Sequence, residues 1–338
     1  MKHSRIFIIV LLLMPVAMAC HSVDDYERNP VGNFDALWSI IDEHYCFFDE
    51  KGVDWDSVYR EYRPRVDGGT NSIELFKICS EMLNELRDGH VNLVGWYSVS
   101  YYKNWWSDYP QNYDQRLVDE HYLHFNGLQR NGITYYMLRD SVAYIRYPSF
   151  AISPGESTLD WSLAILSKCP GLIIDIRDNG GGDLTNVEMF VRRFIKERTL
   201  AGYICHKTGK GHNDISQPYP IYYDPASDKH IKWFKPIVVL VNRSTYSAAN
   251  NFVAVMRNLE GVTIVGDVTG GGSGLPFSSE TPYGWTVRFS SSPMYDANMQ
   301  STESGIAPDI RIDLDPEQAL QGVDTMLEVA INTILSQI

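Results

Sequence analysis

The stretch Val238-Val239-Leu240-Val241-Asn242-Arg243-Ser244-Thr245-Tyr246-Ser247-Ala248-Ala249-Asn250-Asn251-Phe252 decides the fold. An apolar, β-branched run breaks into a short polar turn and resumes with helical spacing, which predicts a buried strand, a tight bend and a helix. Such a bend lifts a serine hydroxyl clear of the sheet and aims the first free N–H groups of the helix at whatever the serine attacks. Ser247 is therefore a candidate nucleophile. Thr245 or Ser247 capping the helix is the plainer alternative, since hydroxyls do this routinely.

The same alternation recurs around this unit. Val142 to Tyr147 reads as a strand, 157 to 168 as a helix, Leu172 to Ile176 as a buried strand and 184 to 196 as a helix. Ile237 to Val241 and 247 to 258 repeat the pair. Strands alternating with helices imply βαβ units around a parallel sheet. Trp285 to Ser290 and Ile310 to Ile312 add strands, and 316 to 335 reads as a last helix.

Upstream the chain reads as helical. Asn33 is placed to cap a helix carrying Phe34, Leu37, Trp38 and Ile41, Asp54 to cap a second, and Ser72 to open a third bearing Leu75, Phe76, Cys79, Met82, Leu83 and Leu86. The third ends at Arg87-Asp88-Gly89-His90, where Gly89 suits a left-handed closing residue. Val91 to Val94 follows as a strand. Residues 96 to 137 are rich in Trp and Tyr, which either cover a core or line a groove.

Of the chain's 338 residues 44% are hydrophobic, enough for a substantial core, and the net charge is −13. Leaving Lys2 and Arg5 of residues 1–19 out of the 29 basic residues gives 27 against 42 acidic, a net −15, which argues against nucleic acid as a partner. Residues 1–19 read as a signal peptide, with a basic start before the apolar run Ile6 to Met18. Ala17-Met18-Ala19-Cys20 is similar to a bacterial lipobox, with Ala17 where leucine is usual; an ordinary signal-peptidase site is the alternative. Cys20 would then carry the lipid, and 20–32 would be a polar tether to the cell envelope. Cys46, Cys79, Cys169 and Cys205 stand singly without a CxxC pair, so neither zinc nor a redox motif is indicated.

Three further constellations bear on chemistry. Asp175-Ile176-Arg177-Asp178-Asn179-Gly180-Gly181-Gly182 follows a buried strand and can present backbone N–H groups to an oxyanion, or form a plain glycine turn. His90 is a base or a helix-end histidine. Glu303, in Ser301-Thr302-Glu303-Ser304-Gly305-Ile306-Ala307-Pro308-Asp309-Ile310, is a solvated carboxylate or the group that orients a histidine. Metal, nucleotide and flavin motifs are missing from the sequence, so no cofactor is expected.

Taken in order, Leu172–Gly182, Val239–Ala249, Val265-Gly266-Asp267-Val268-Thr269-Gly270 and Glu303–Ile310 resemble the successive motifs of the C-terminal processing peptidase and tricorn core family of serine peptidases. The resemblance implies a crotonase-like α/β core at 142–338, an N-terminal helical subdomain at 33–95 and an aromatic-rich connection at 96–141. It also implies hydrolysis of peptide or unfolded protein substrates through a Ser247 acyl-enzyme. One branch of the family pairs its serine with a lysine after the next strand; here that loop reads Thr269-Gly270-Gly271-Gly272-Ser273, and no lysine follows Lys235. The tricorn-like branch uses a histidine and a late glutamate, which implies His90 as base, Glu303 as orienting carboxylate, and Gly181 and Ala248 as oxyanion donors. Two departures stand out. Gly89 replaces a serine that bridges histidine and glutamate, and the 51 residues 91 to 141 are too few for a PDZ module. The rival reading is a catalytically weak binding protein of the same fold, taking peptides or hydrophobic ligands.

Overall fold

The computed structural model describes residues 25–139 and 141–337. The expected signal peptide and Cys20 lie outside them. The N-terminal unit holds α1 (Pro30–His44), α2 (Phe48–Lys51), α3 (Trp55–Tyr62) and α4 (Ser72–Asn84). The first helix starts earlier than Asn33: Asn29 caps it, accepting from Gly32 N–H, and Pro30 supplies the preset first turn. Asn33 is buried and accepts from Tyr283 N–H at 2.9 Å. Asp54 caps α3, and Asn71 caps α4 through the N–H groups of Ile73 and Glu74. After α4 the left-handed residue is Arg87, with φ 49°, and not Gly89.

The chain then forms β1 (Asn92–Val94), β2 (Val99–Tyr101), α5 (Asn104–Ser107), α6 (Gln115–His121), β3 (Leu128–Arg130) and β4 (Ile133–Leu138). The central run continues with β5 (Val142–Arg146), α7 (Glu156–Ile165), β6 (Leu172–Asp175), α8 (Leu184–Val191), β7 (Thr199–Ile204), β8 (Tyr219–Tyr223), β9 (Ile237–Val241), α9 (Ala248–Met256) and β10 (Val262–Gly266). It closes with β11 (Gly274–Glu280), β12 (Thr286–Tyr295), β13 (Ile310–Arg311), α10 (Pro316–Ala319) and α11 (Thr325–Leu335). The last helix expected over 316 to 335 is thus broken, at a left-handed Gly322.

A seven-stranded sheet runs β13-β10-β9-β6-β5-β4-β3. Neighbours from β13 to β5 are parallel, and β4 and β3 add antiparallel, so this sheet begins upstream of Val142. Every residue of β5, β6 and β9 is buried, as a parallel sheet covered on both faces requires. Alternation sorts their side chains: Ile145, Ile174, Val239 and Val241 face α7, α8 and α9, while Tyr144, Ile173, Val238 and Leu240 face α11 and the end of α6.

A second sheet, β2-β1-β12-β7-β8 with β11 beside β12, joins the two units. Leu93, Val287 and Phe289 from it, with Trp285 just before β12, pack with Phe34, Leu37, Leu75 and Met82 of the helices in one core. The ladder from β1 to β12 brings the loop after α4 to the edge of the parallel sheet.

Candidate active site

The turn between β9 and α9 is held from three sides. Tyr246 N–H donates to Asn179 O at 3.0 Å, Ser247 N–H to Gly271 O at 2.8 Å, and Thr245 Oγ1 to Ile176 O at 3.0 Å. Asp178 and Asn242 exchange a reciprocal pair of bonds, at 2.9 and 2.7 Å, that ties the glycine loop to this turn. So restrained, Ser247 sits at φ 57°, ψ −122°, a conformation L-residues rarely adopt, and its side chain does not cap α9. A methyl group on Gly181 would stand 2.8 Å from Ser247 Cβ and 2.9 Å from Ala248 N, so glycine there lets the two loops touch.

His90 enters from the helical unit. Its Nε2 lies 2.9 Å from Ser247 Oγ across 157 positions of chain. The ring is 97% buried, and that burial lowers its pKa to about 4 against the upward pull of Asp88, leaving a neutral imidazole able to accept a proton at pH 7. On the far side of the ring, Ser290 Oγ is 3.5 Å from His90 Nδ1 and donates to Asp88 Oδ2 at 2.8 Å. Asp88 also accepts from His90 N–H at 2.7 Å and from Tyr45 OH at 3.1 Å.

Glu303 corrects the expectation drawn from the resemblance. Its Oε1 pairs with Lys51 Nζ at 2.8 Å and its Oε2 accepts from Ser273 N–H at 2.7 Å, so both oxygens are engaged by groups other than His90. Burial, reinforced by the charge of Asp88, pushes the carboxyl up to about 7 in spite of Lys51. For Lys51, burial works to lower the ammonium and the Glu303 charge overrides it, leaving the net shift upward.

The place of the bridging serine is filled. A methyl group on Gly89 would lie 2.5 Å from Trp105 Nε1 and 2.8 Å from Tyr246 OH. Those two rings stack at 4.0 Å, and Tyr246 also meets the His90 ring at 4.9 Å. The aromatic stretch thus contributes one side chain to the walls of the site.

The oxyanion expectation also needs correction at one donor. Gly181 N–H donates to Asn179 Oδ1 at 2.9 Å and is spent inside its own turn. Its neighbour Gly182, together with Ala248, lines a cavity of about 160 Å³ beside Ser247, whose walls include Leu184, Ala254, Leu275 and Met294. Ala248 opens α9, so its N–H has no acceptor within the helix. Asp175 and Arg177, from the same glycine loop, serve the frame: Arg177 is fully buried between Asp175 and Asp324 at 2.6 and 2.8 Å. Among the described residues no cluster of His, Cys, Asp and Glu has the makings of a metal site.

Residues 141–312 match the sequence profile of peptidase family S41, and residues 26–84 match that of the tricorn protease C1 domain. A crystal structure of a candidate peptidase from Parabacteroides merdae is 47% identical, with a TM-score of 0.87 over 91% of this chain and 97% of that one. The chain belongs to peptidase family S41.

Members of that family are serine-type peptidases, and two curated relatives of this S41 chain carry the name protease. A candidate tricorn-like protease C-terminal subunit from Sulfurisphaera tokodaii is 27% identical over 50% of this chain and 18% of its own length. Carboxy-terminal processing protease CtpA from Bacillus subtilis is 24% identical over 53% of this chain and 36% of its own. The S41 chain thus spans well under half the length of these curated relatives. The mixed α/β architecture is shared with the S41 structures.

Sequence reading missed four contributors to the S41 site. Asp88 stands two residues before His90 in Arg87-Asp88-Gly89-His90, and that spacing is a usable signal. Lys51 and Ser290 have none, because only tertiary packing brings them in, while Trp105 is one of the aromatic stretch read as core cover or groove lining without being singled out.

Proposed function

We propose that the chain is an envelope-anchored serine peptidase that hydrolyses peptide bonds through a Ser247 acyl-enzyme. One observation carries this reading: His90 Nε2 stands within hydrogen-bonding reach of Ser247 Oγ at the mouth of a helix. Ser247 Oγ attacks the scissile carbonyl while His90 takes its proton. The tetrahedral oxyanion is met by the N–H of Ala248 with Gly182 as the second donor, in place of Gly181, each worth about 3–4 kcal/mol. His90 then returns the proton to the leaving amine, and water repeats the sequence on the acyl group.

Asp88 is the positioning carboxylate in this scheme, acting on His90 through Ser290 and through the backbone N–H. Glu303 shapes the site with Lys51 from behind. Anchoring is read from the leader and from Cys20, which places the chain in a bacterial cell envelope.

A fluorophosphonate probe tests the proposal on the purified protein and on Ser247→Ala and His90→Ala variants. Labelling of the unmodified chain that disappears in both variants is the expected result. Absence of labelling from about pH 6 to 9, where a buried neutral histidine is available, overturns catalysis and leaves a binding protein of the same fold.

A further inference from the structure

We propose that the β1–β2 hairpin and the start of α4 form a membrane-docking face that seats the protein on a phospholipid bilayer, an inference that rests on the Cys20 anchor reading. The two strands are joined by a tight turn in which Gly95 N–H donates to Ser98 O at 2.9 Å, and its two central residues are Trp96 and Tyr97. Water-facing turns favour Gly, Asn and Asp there. Trp96 is instead 77% exposed and Tyr97 48%.

Their polar atoms point inward: Trp96 Nε1–H donates to Tyr283 O, and Tyr97 OH to Ser72 O. What remains outside is ring carbon on a rigid mount. Val94 and Val99 pair directly across the hairpin, and Tyr101 shares their face two residues on, all three exposed, while Leu93 between them points into the core. Ile73, 70% exposed, extends the patch beside Ser72. Exposed apolar side chains thus stand on both sides of the hairpin tip, a concentration that marks an interaction site.

The route of the chain identifies the occupant. Arg28 borders the same hollow of about 290 Å³ as Trp96, Tyr97, Tyr283 and Trp285. Arg28 lies eight positions after Cys20, a stretch that spans at most about 29 Å when fully extended. A lipid on Cys20 therefore holds this face close to the headgroups. Arg28 borders the patch and Lys103 lies over the Tyr101 ring, but the chain without residues 1–19 carries −15, so the surface it fits is zwitterionic rather than anionic. β12 continues from the patch to the site: Thr286 pairs with Val94, and Ser290, about 13 Å further along the strand, bonds Asp88. Docking thus sets the cleft just above the bilayer.

The test uses the full chain purified from membranes, with intact mass reporting acylation of Cys20, reconstituted in phosphatidylcholine vesicles bearing brominated acyl chains. Tryptophan quenching that falls in Trp96→Phe is the expected result. An acylated chain whose quenching is unchanged by that substitution overturns docking and leaves the anchor standing. An unacylated chain that still floats with vesicles, and does so at least roughly fivefold less as the Trp96→Ser/Tyr97→Ser variant, supports docking and removes the anchor reading. An unacylated chain that does not float overturns both. Fluorophosphonate labelling of each variant checks that it is folded.

Discussion

Trp105 and Tyr246 stack at 4.0 Å and together close the space above the α-carbon of Gly89. The position where the tricorn-like pattern carries a bridging serine is glycine here because two aromatic rings already occupy its volume.

Gly89→Ser is expected to destabilise the chain by about 1–3 kcal/mol through overpacking and to slow labelling of Ser247. Adding Trp105→Ala should return part of the stability, because the nearer obstruction is then gone. Chemical denaturation of the two single variants and the double variant measures this; strictly additive losses would show that the rings and position 89 do not compete.

Asp88→Asn and Ser290→Ala are each expected to slow fluorophosphonate labelling by at least about tenfold, a step of ~1.4 kcal/mol in barrier. The combined variant should lose little more than either alone, since both act on the same ring. Glu303→Gln should cost far less in rate. A rate collapse in Glu303→Gln with Asp88→Asn unaffected would restore the glutamate as the orienting group.

The labelling rate should keep its neutral-pH value down to about pH 5 and halve near pH 4. Burial holds the His90 pKa at about 4, so the imidazole is neutral, and able to act as base, at every pH above that. An inflection near 6.5 in a rate-against-pH profile would show that the ring is solvated.

The folding free energy of the native chain should fall relative to Glu303→Gln as pH rises from about 4.5 to 7. The folded Glu303 carboxyl is held up at about 7, above its unfolded value of 4.5. The native state therefore binds the extra proton in that window, and its stabilising share is complete below 4.5 and lost above 7. The difference is on the order of 2–3 kcal/mol, read from urea denaturation at pH 4.5 and pH 8. A constant difference between the two proteins would contradict the raised value.

Arg177→Met should destabilise by about 3–5 kcal/mol, because it leaves buried Asp324 without its ion-pair partner and Asp175 with only the more distant Arg146 at 3.6 Å. Thermal unfolding checks it.

Local pattern made much of this legible. Val238 to Phe252 announced a strand, bend and helix because period and polarity change together there, and β5, β6 and β9 showed as unbroken apolar runs because both faces are covered. Helix starts misread by a few residues, as at Asn29 and Asn33, reflect two equally good capping residues four positions apart. β3 and β4 went unseen inside the aromatic stretch, where Tyr and Trp fit strand, helix or loop alike. At the site, Ser247 and His90 carry local signatures: a bend and a helix end. The more distant contacts do not, since Ser290 reaches His90 through strand pairing between β1 and β12, and Glu303 turns to a lysine more than 250 positions upstream. Sequence gives residues, and only packing decides which carboxylate faces which ring.

The separation of 157 positions between His90 and Ser247 has a consequence during synthesis. The base is translated early and the proposed nucleophile late, and Ser290, which steadies the base, later still. A half-made chain holds a histidine with nothing to activate, and a chain cut anywhere between the two carries an idle serine on one piece. In the proposed mechanism, translation order by itself would leave Ser247 unactivated until the last third of the protein has folded onto the first.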